Sequence, residues 1–214
     1  MNMTLANRIT MLRALMAVGV FVCIVLHGVW FRLAALALFC AAAFTDWLDG
    51  KIARETGTVT HFGAIADPFV DKILVGGAFL AFASIKSLNV PLWAVFIIIA
   101  RELMVSSLRA LAALGGKVLS AEKAGKFKTF FQLLAAFAIL LVLNFQTMLL
   151  AGSGTHTITP QMVDIYRLTL GIPYWISVLT ALVTAASGAA YLYNHWAMLQ
   201  DSWSDPHLRK AQKK

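Results

Sequence analysis

Residues 33–55 read LAALALFCAAAFTDWLDGKIARE: an unbroken apolar run from Leu33 to Phe44, then two aspartates, a glycine and two basic residues. A helix rises about 1.5 Å per residue and a bilayer core is about 30 Å thick, so such a stretch is long enough to cross it. Its charged end then lies at one membrane surface. The whole chain has the same character. Across 214 residues it is 60% hydrophobic and 13% charged, with a mean hydropathy of +0.77. Soluble domains are about half apolar and about 25% charged.

Working outward from this stretch, apolar runs and their breakers predict spans at residues 14–31, 33–55, 68–85, 91–114, 127–150 and 172–198. The expected fold is an all-α integral membrane protein, a single domain over 1–214 with six transmembrane helices. Residues 1–13 mix Met3, Leu5, Ile9, Met11 and Leu12 with polar and basic residues and predict a short interfacial helix. The first apolar run is too long for a signal-peptide core, so it is read as a span. The polar stretch 152–171 predicts a flexible external loop, and 199–214 a cytoplasmic tail.

Of the 18 basic residues, only Arg32, Lys86 and Arg167 fall on the outer side if the N-terminus is cytoplasmic. That distribution satisfies the positive-inside rule and predicts both termini in the cytoplasm. The formal charge of +8 is dispersed among spans rather than gathered with aromatics on a soluble face, so nucleic acid is not an expected partner. Cys23 and Cys40 both sit in apolar runs, form no CxxC pair and are read as free thiols.

Four of the ten acidic residues, Asp46, Asp49, Asp67 and Asp71, fall within 26 positions at one membrane boundary. Unpaired carboxylates near a bilayer are costly, which a bound cation relieves. Spacings of three and four place each pair on one helix face, so two facing helices offer four carboxylates to one point. Oxygen donors select hard cations, Mg²⁺ or Mn²⁺, and four carboxylates are charge-matched by two such ions. Two metals also suit phosphoryl-type transfer. Asp67 before Pro68 predicts a helix start, aspartate at the N-cap and proline at N1. Gly50 and Ala53 leave room for a bulky ligand beside the first pair, and Arg54 lies one turn further on for a phosphate. Gly63 lies between the two pairs.

The pattern Asp46-x2-Asp49-Gly50-x2-Ala53-Arg54-x8-Gly63-x3-Asp67-x3-Asp71 resembles the signature of the CDP-alcohol phosphatidyltransferases. Eight identities at these spacings arise by chance on the order of 10⁻⁸ to 10⁻⁷. The resemblance implies six transmembrane helices, a homodimer, and two metals on Asp46, Asp49, Asp67 and Asp71. It also implies cytidine diphosphate held by Asp49, Gly50, Ala53, Arg54, Gly63 and Asp67, with Asp71 as general base.

Choice of the acceptor alcohol falls to the remaining charges. Arg101 and Glu102 lie within the fourth apolar run, Arg109 follows about two turns later on nearly the same face, and Lys126 and Lys128 open the fifth. Such a cluster suits an anionic acceptor, because arginine offers a fork matched to phosphate and lysine a compact charge. Pairing of Arg101 with Glu102 is the structural alternative. The runs Ala100-Arg101-Glu102, Ser106-Ser107-Leu108-Arg109 and Gly125-Lys126-x-Lys128-Thr129-x2-Gln132 resemble the bacterial phosphatidylglycerophosphate synthases of that family, as do Asn7-x2-Thr10-x2-Arg13 and Thr45–Gly50. The similarity spans about residues 5–135.

This resemblance implies CDP-diacylglycerol as donor and sn-glycerol 3-phosphate as acceptor, bound by Arg101, Arg109, Lys126 and Lys128. Asn7, Thr10 and Arg13 are weaker candidates for the same cavity. The expected location is the cell (inner) membrane, multi-pass among membrane lipids, with the active site on the cytoplasmic side. Inositol phosphate or serine as acceptor is the nearest alternative. A divalent-cation transporter is the alternative of a different class; it would use the carboxylates but not the fixed glycine, alanine and arginine positions.

Overall fold

The computed structural model describes residues 5–56, 61–114, 123–152, 160–196 and 200. Within these segments the side chains at 5–7, 47–56, 61–68, 71, 113–114, 123–126 and 152 lie outside the described residues. Seven α-helices are seen there: α1 (Leu5–Val25), α2 (Val29–Thr56), α3 (His61–Ser84), α4 (Leu92–Leu114), α5 (Lys123–Gly152), α6 (Pro160–Leu170) and α7 (Ile172–Asn194). The protein is an all-α membrane protein. Four stretches, 8–25, 29–46, 127–151 and 160–194, are long and apolar enough to cross a bilayer. α3 and α4 have 24 and 23 residues, ample length at about 1.5 Å per residue. Arg101, Glu102 and Arg109 lower the apolarity of α4.

The breaks follow local chemistry. α1 stops at the His27-Gly28 turn, where Gly28 has a φ of 133°, a backbone conformation open to glycine alone at low cost. Between α3 and α4 a short 3₁₀ turn, Lys86–Leu88, ends on Asn89 in the left-handed region (φ 48°), where its N–H reaches the Lys86 carbonyl. α7 starts after Gly171 with proline in its first turn.

Three expectations are corrected. Residues 5–13 do not form a separate interfacial helix: no proline or glycine interrupts the chain before Gly19, and α1 runs through. Asp67 is not an N-cap. α3 begins at His61 and continues through Pro68, whose missing backbone N–H is a loss that membrane helices tolerate when neighbouring groups satisfy the freed carbonyl. The stretch 152–171 is not all loop, because residues 160–170 form α6, capped in sequence by proline at its start and Gly171 after its end.

Helix α1 packs against α2 and α3, α5 lies against both α2 and α7, and α4 packs on α7 and α3. The contacts are built from small residues alternating with large ones: Ala17, Val20 and Ile24 of α1 meet a core that includes Ala35, Phe39, Ala78, Phe79 and Phe82. Without a hydrophobic difference between lipid and core, close approach by small side chains supplies the attraction. Conversely, Leu15, Phe96, Phe130, Trp175 and Leu182 point outward, an apolar exterior suited to acyl chains.

The Gly28 conformation makes a stability prediction. Gly28→Ala strains a backbone that ordinary residues avoid, at a cost of about 1–3 kcal/mol. The thermal midpoint of the detergent-solubilised variant is expected to fall, and an unchanged midpoint refutes the need for glycine at this turn.

Candidate active site

The first aspartate pair lies in the last third of α2 and the second in the first half of α3, so the motif occupies two consecutive helices at one end of the bundle. Asp46 is the member whose side chain is described. Arg13 of α1, fully buried, donates from Nη1 to Asp46 Oδ1 at 2.6 Å, a charge-assisted bond between antiparallel neighbours. Asp46 keeps 45% of its side-chain surface exposed and remains accessible to an ion. Thr10, one turn before Arg13, is buried as well. Of the weaker candidates, Arg13 is therefore in direct contact with the motif. Asp49, Gly50, Ala53, Arg54, Gly63, Asp67 and Asp71 have side chains outside the described residues, as do Asn7 and Lys126.

The helical spacings of three and four hold in the backbone of α2 and α3, and the donor chemistry is all oxygen. These features fit hard divalent cations.

A second cluster lies among α4, α5 and α7. Glu102, largely buried, accepts an ion-pair hydrogen bond from Lys128 Nζ of α5, and Arg101 Nη1 stands 3.6 Å from the same oxygen. Arg101 Nη2 also donates to Ser187 Oγ of α7 at 2.9 Å. Gln132 Nε2 donates to Thr184 Oγ1 at 3.1 Å and lies 3.4 Å from Glu102 Oε1. Arg101 and Lys128 are 8% and 3% exposed, so each needs this partner inside an apolar bundle. With two cations and one carboxylate, the group keeps a net charge of +1.

Arg109, two turns beyond Arg101, is not part of the knot. Its guanidinium stands over the Tyr191 ring, 5.8 Å from the centroid, and Tyr191 is buried with a hydroxyl that has no partner among the described residues. Lys72, the residue after Asp71, is within electrostatic range of Lys128, which ties this cluster to the start of α3. Arg101 and Lys128 are thus brought together as expected, but around Glu102, so the structural pairing of Arg101 with Glu102 is present as well.

Residues of α7 were not expected at the site. Thr184, Ser187, Gly188 and Tyr191 recur at intervals of three, four and seven, a small and polar stripe on one face of an apolar helix. A methyl group on Gly188 would come within 2.9 Å of Arg101 Cγ, so the side chain of Arg101 crosses α7 where glycine leaves room.

Comparison with known proteins places the chain. The family model described as CDP-alcohol phosphatidyltransferase matches residues 3–159. The chain belongs to the CDP-alcohol phosphatidyltransferase family. It is 34% identical over 171 residues, 80% of this chain and 78% of the other, to a Bacillus subtilis protein named CDP-diacylglycerol–glycerol-3-phosphate 3-phosphatidyltransferase. A Cereibacter sphaeroides protein of the same name is 37% identical over 137 residues, covering 63% of this chain and 62% of its own. A protein from Arabidopsis thaliana named CDP-diacylglycerol–glycerol-3-phosphate 3-phosphatidyltransferase 2 is 33% identical over 160 residues, covering 68% and 64%. The family match includes the aspartate motif, Arg101, Glu102, Arg109, Lys126 and Lys128, and ends before α6 and α7.

Glu102→Gln keeps the shape of the side chain and removes the charge facing Lys128 and Arg101. Breaking a buried pair costs about 3–5 kcal/mol. A lower thermal midpoint is expected, partly restored in Glu102→Gln/Lys128→Met, and additive losses in that double variant would contradict the pairing.

Proposed function

We propose that this chain transfers the phosphatidyl group of CDP-diacylglycerol to sn-glycerol 3-phosphate, giving phosphatidylglycerophosphate and CMP. The observation that carries the acceptor assignment is the cluster of Arg101 and Lys128 inside the bundle, with Arg109 beside it. A net positive, largely desolvated site among α4, α5 and α7 suits an acceptor that carries its own phosphate. A neutral acceptor such as serine gives it less to bind. The relatives' names support the same pair of substrates.

In this reaction the 1-hydroxyl oxygen of glycerol 3-phosphate forms a bond to the β-phosphorus of the CDP-lipid. The bond from that phosphorus to the bridging oxygen breaks, and CMP leaves with the electron pair. Asp71 accepts the hydroxyl proton as general base. Asp46, Asp49, Asp67 and Asp71 are the residues to hold two divalent ions, Mg²⁺ or Mn²⁺, which supply charge neutralisation for the diphosphate when bound. Asp49, Gly50, Ala53, Arg54, Gly63 and Asp67 form the CDP subsite. Arg13 orients Asp46 through its 2.6 Å bond, so it is assigned a positioning role. Arg101, Arg109, Lys126 and Lys128 bind the acceptor phosphate.

The same reading has six helices spanning the inner membrane, both termini and the active site on the cytoplasmic side, and acyl chains entering sideways from the inner leaflet. Fifteen basic residues on the motif side against Arg32, Lys86 and Arg167 on the other support that orientation. The assembly is a homodimer, as the family resemblance implies.

Two measurements test this reading. Purified protein given CDP-diacylglycerol with glycerol 3-phosphate, inositol phosphate or serine in turn should form phosphatidylglycerophosphate alone, with metal-dependent release of CMP. Formation of a serine or inositol phosphate lipid instead refutes the acceptor, and no CMP release with any acceptor revives a transporter. Asp71→Asn should abolish turnover in a protein that still inserts and unfolds at the wild-type temperature. Retained turnover removes Asp71 from the role of base.

A further inference from the structure

The opposite end of the bundle holds a second polar site, unconnected with the aspartates. There the α1–α2 turn, the α3–α4 connection, the last turns of α5 and Tyr166 of α6 enclose a cavity of about 630 Å³. That is within the usual range of ligand sites. His27, Arg32 and Lys86 stand in its wall beside Ser87, Gln146 and Tyr166, and among the described residues no carboxylate does. Arg32 is 4% exposed, and its buried Nη1 has no hydrogen-bond partner among the described residues. Gln146 is 2% exposed; its Nε2 donates to Thr169 Oγ1 at 3.1 Å, while its Oε1 has no partner among the described residues.

A buried guanidinium with an unmet donor is costly unless something pairs with it. Arg32 is also firmly placed. Its backbone N–H donates to the Gly28 carbonyl at 3.2 Å, and its carbonyl accepts from Asn144 Nδ2 at 3.2 Å. Fourteen residues separate it from Asp46 along α2, about 21 Å of helix, so it does not serve the aspartate site. The three basic residues that depart from the positive-inside pattern are Arg32, Lys86 and Arg167, and two of them meet in this one cavity.

We infer that this cavity binds a phosphate-bearing anion, through the Arg32 guanidinium and the Lys86 ammonium. A fork, a point charge, and the imidazole and hydroxyl donors around them match the several acceptor oxygens of a tetrahedral oxyanion. The same chemistry is offered by a phospholipid headgroup or by free phosphate. Exposed Trp30, Trp93 and Trp175 lie near the starts of α2, α4 and α7 at this end, where an aromatic belt marks headgroup level. Val25 and Leu150 in the wall give the first carbons of a lipid an apolar surface.

The inference stands apart from the proposed reaction and is tested by binding. Full-length protein in phosphatidylcholine nanodiscs is titrated with inorganic phosphate by calorimetry, and retention of dioleoylphosphatidic acid in detergent is followed by native mass spectrometry. The variants are Arg32→Gln and, on the exposed turn where folding is not at risk, Lys86→Glu. Lys86→Glu is expected to weaken at least one probe about tenfold or more. Loss confined to phosphatidic acid identifies a lipid headgroup as the source, and loss of phosphate binding identifies the free ion. Any affinity for the acceptor site survives in this variant and is subtracted. Wild-type affinity of Lys86→Glu for both probes overturns the inference, whatever Arg32→Gln does.

Discussion

Everything around the proposed acceptor site depends on one carboxylate. Glu102 sits in a helix that faces lipid on one side and two cations on the other, and it makes those cations tolerable inside the bundle. Through Lys128 it fastens α4 to α5, and through Arg101 and Gln132 the same network reaches Ser187 and Thr184 on α7. Three helices with little hydrophobic reason to prefer one rotation over another are thereby fixed in register. Gly188 completes the fit by giving Arg101 passage. Packing and chemistry share the same atoms here, so a change at Glu102 is expected to affect both.

A parallel arrangement holds the other side. Arg13 reaches from α1 to Asp46 on α2, where α1 packs against both α2 and α3. A buried arginine spends part of its charge on a carboxylate that the proposed reaction would commit to metal. Such a contact fixes the carboxylate's rotamer and leaves nearly half its surface accessible, which is what a ligand held ready for an ion requires.

Most of the fold was legible because a bilayer imposes one pattern. Apolar runs of about 20 residues announced α2, α4, α5 and α7, and the gap between the expected spans 68–85 and 91–114 fell where the chain turns. The expected boundary between 14–31 and 33–55 instead lies inside α2, which already starts at Val29 after the Gly28 turn. Pro68 misled because the rule for helix starts is a soluble-protein preference, and an α3 that begins at His61 carries the proline within it. α6 was missed because residues 160–170 are too short and too polar to register as a span. At the site, residue types and spacings pointed to the aspartates, Arg101 and Lys128. They did not reveal that Glu102 serves both cations, since Lys128, 26 residues further along the chain on α5, leaves no mark in the local sequence of α4. The α7 stripe was present at helical spacing, but Thr184, Ser187 and Gly188 are also ordinary packing residues in membranes.

The charges of the proposed reactants explain why the site needs both halves. Donor and acceptor are anions, and four carboxylates alone would repel each of them. Two divalent ions, as proposed, would cancel the carboxylates and no more, leaving the substrates' own charge to the protein. Arg101, Lys128 and Glu102 together supply +1, too little for a phosphate monoester dianion. Arg109, held over Tyr191 rather than bound to a carboxylate, is the described cation best placed to make up the difference. The cluster's small net charge has an advantage of its own: a pocket with all its cations unpaired would be costly to bury between visits of the acceptor. Glu102 therefore trades binding strength for a site that stays folded when empty, and the acceptor's affinity falls to the residues it leaves unpaired.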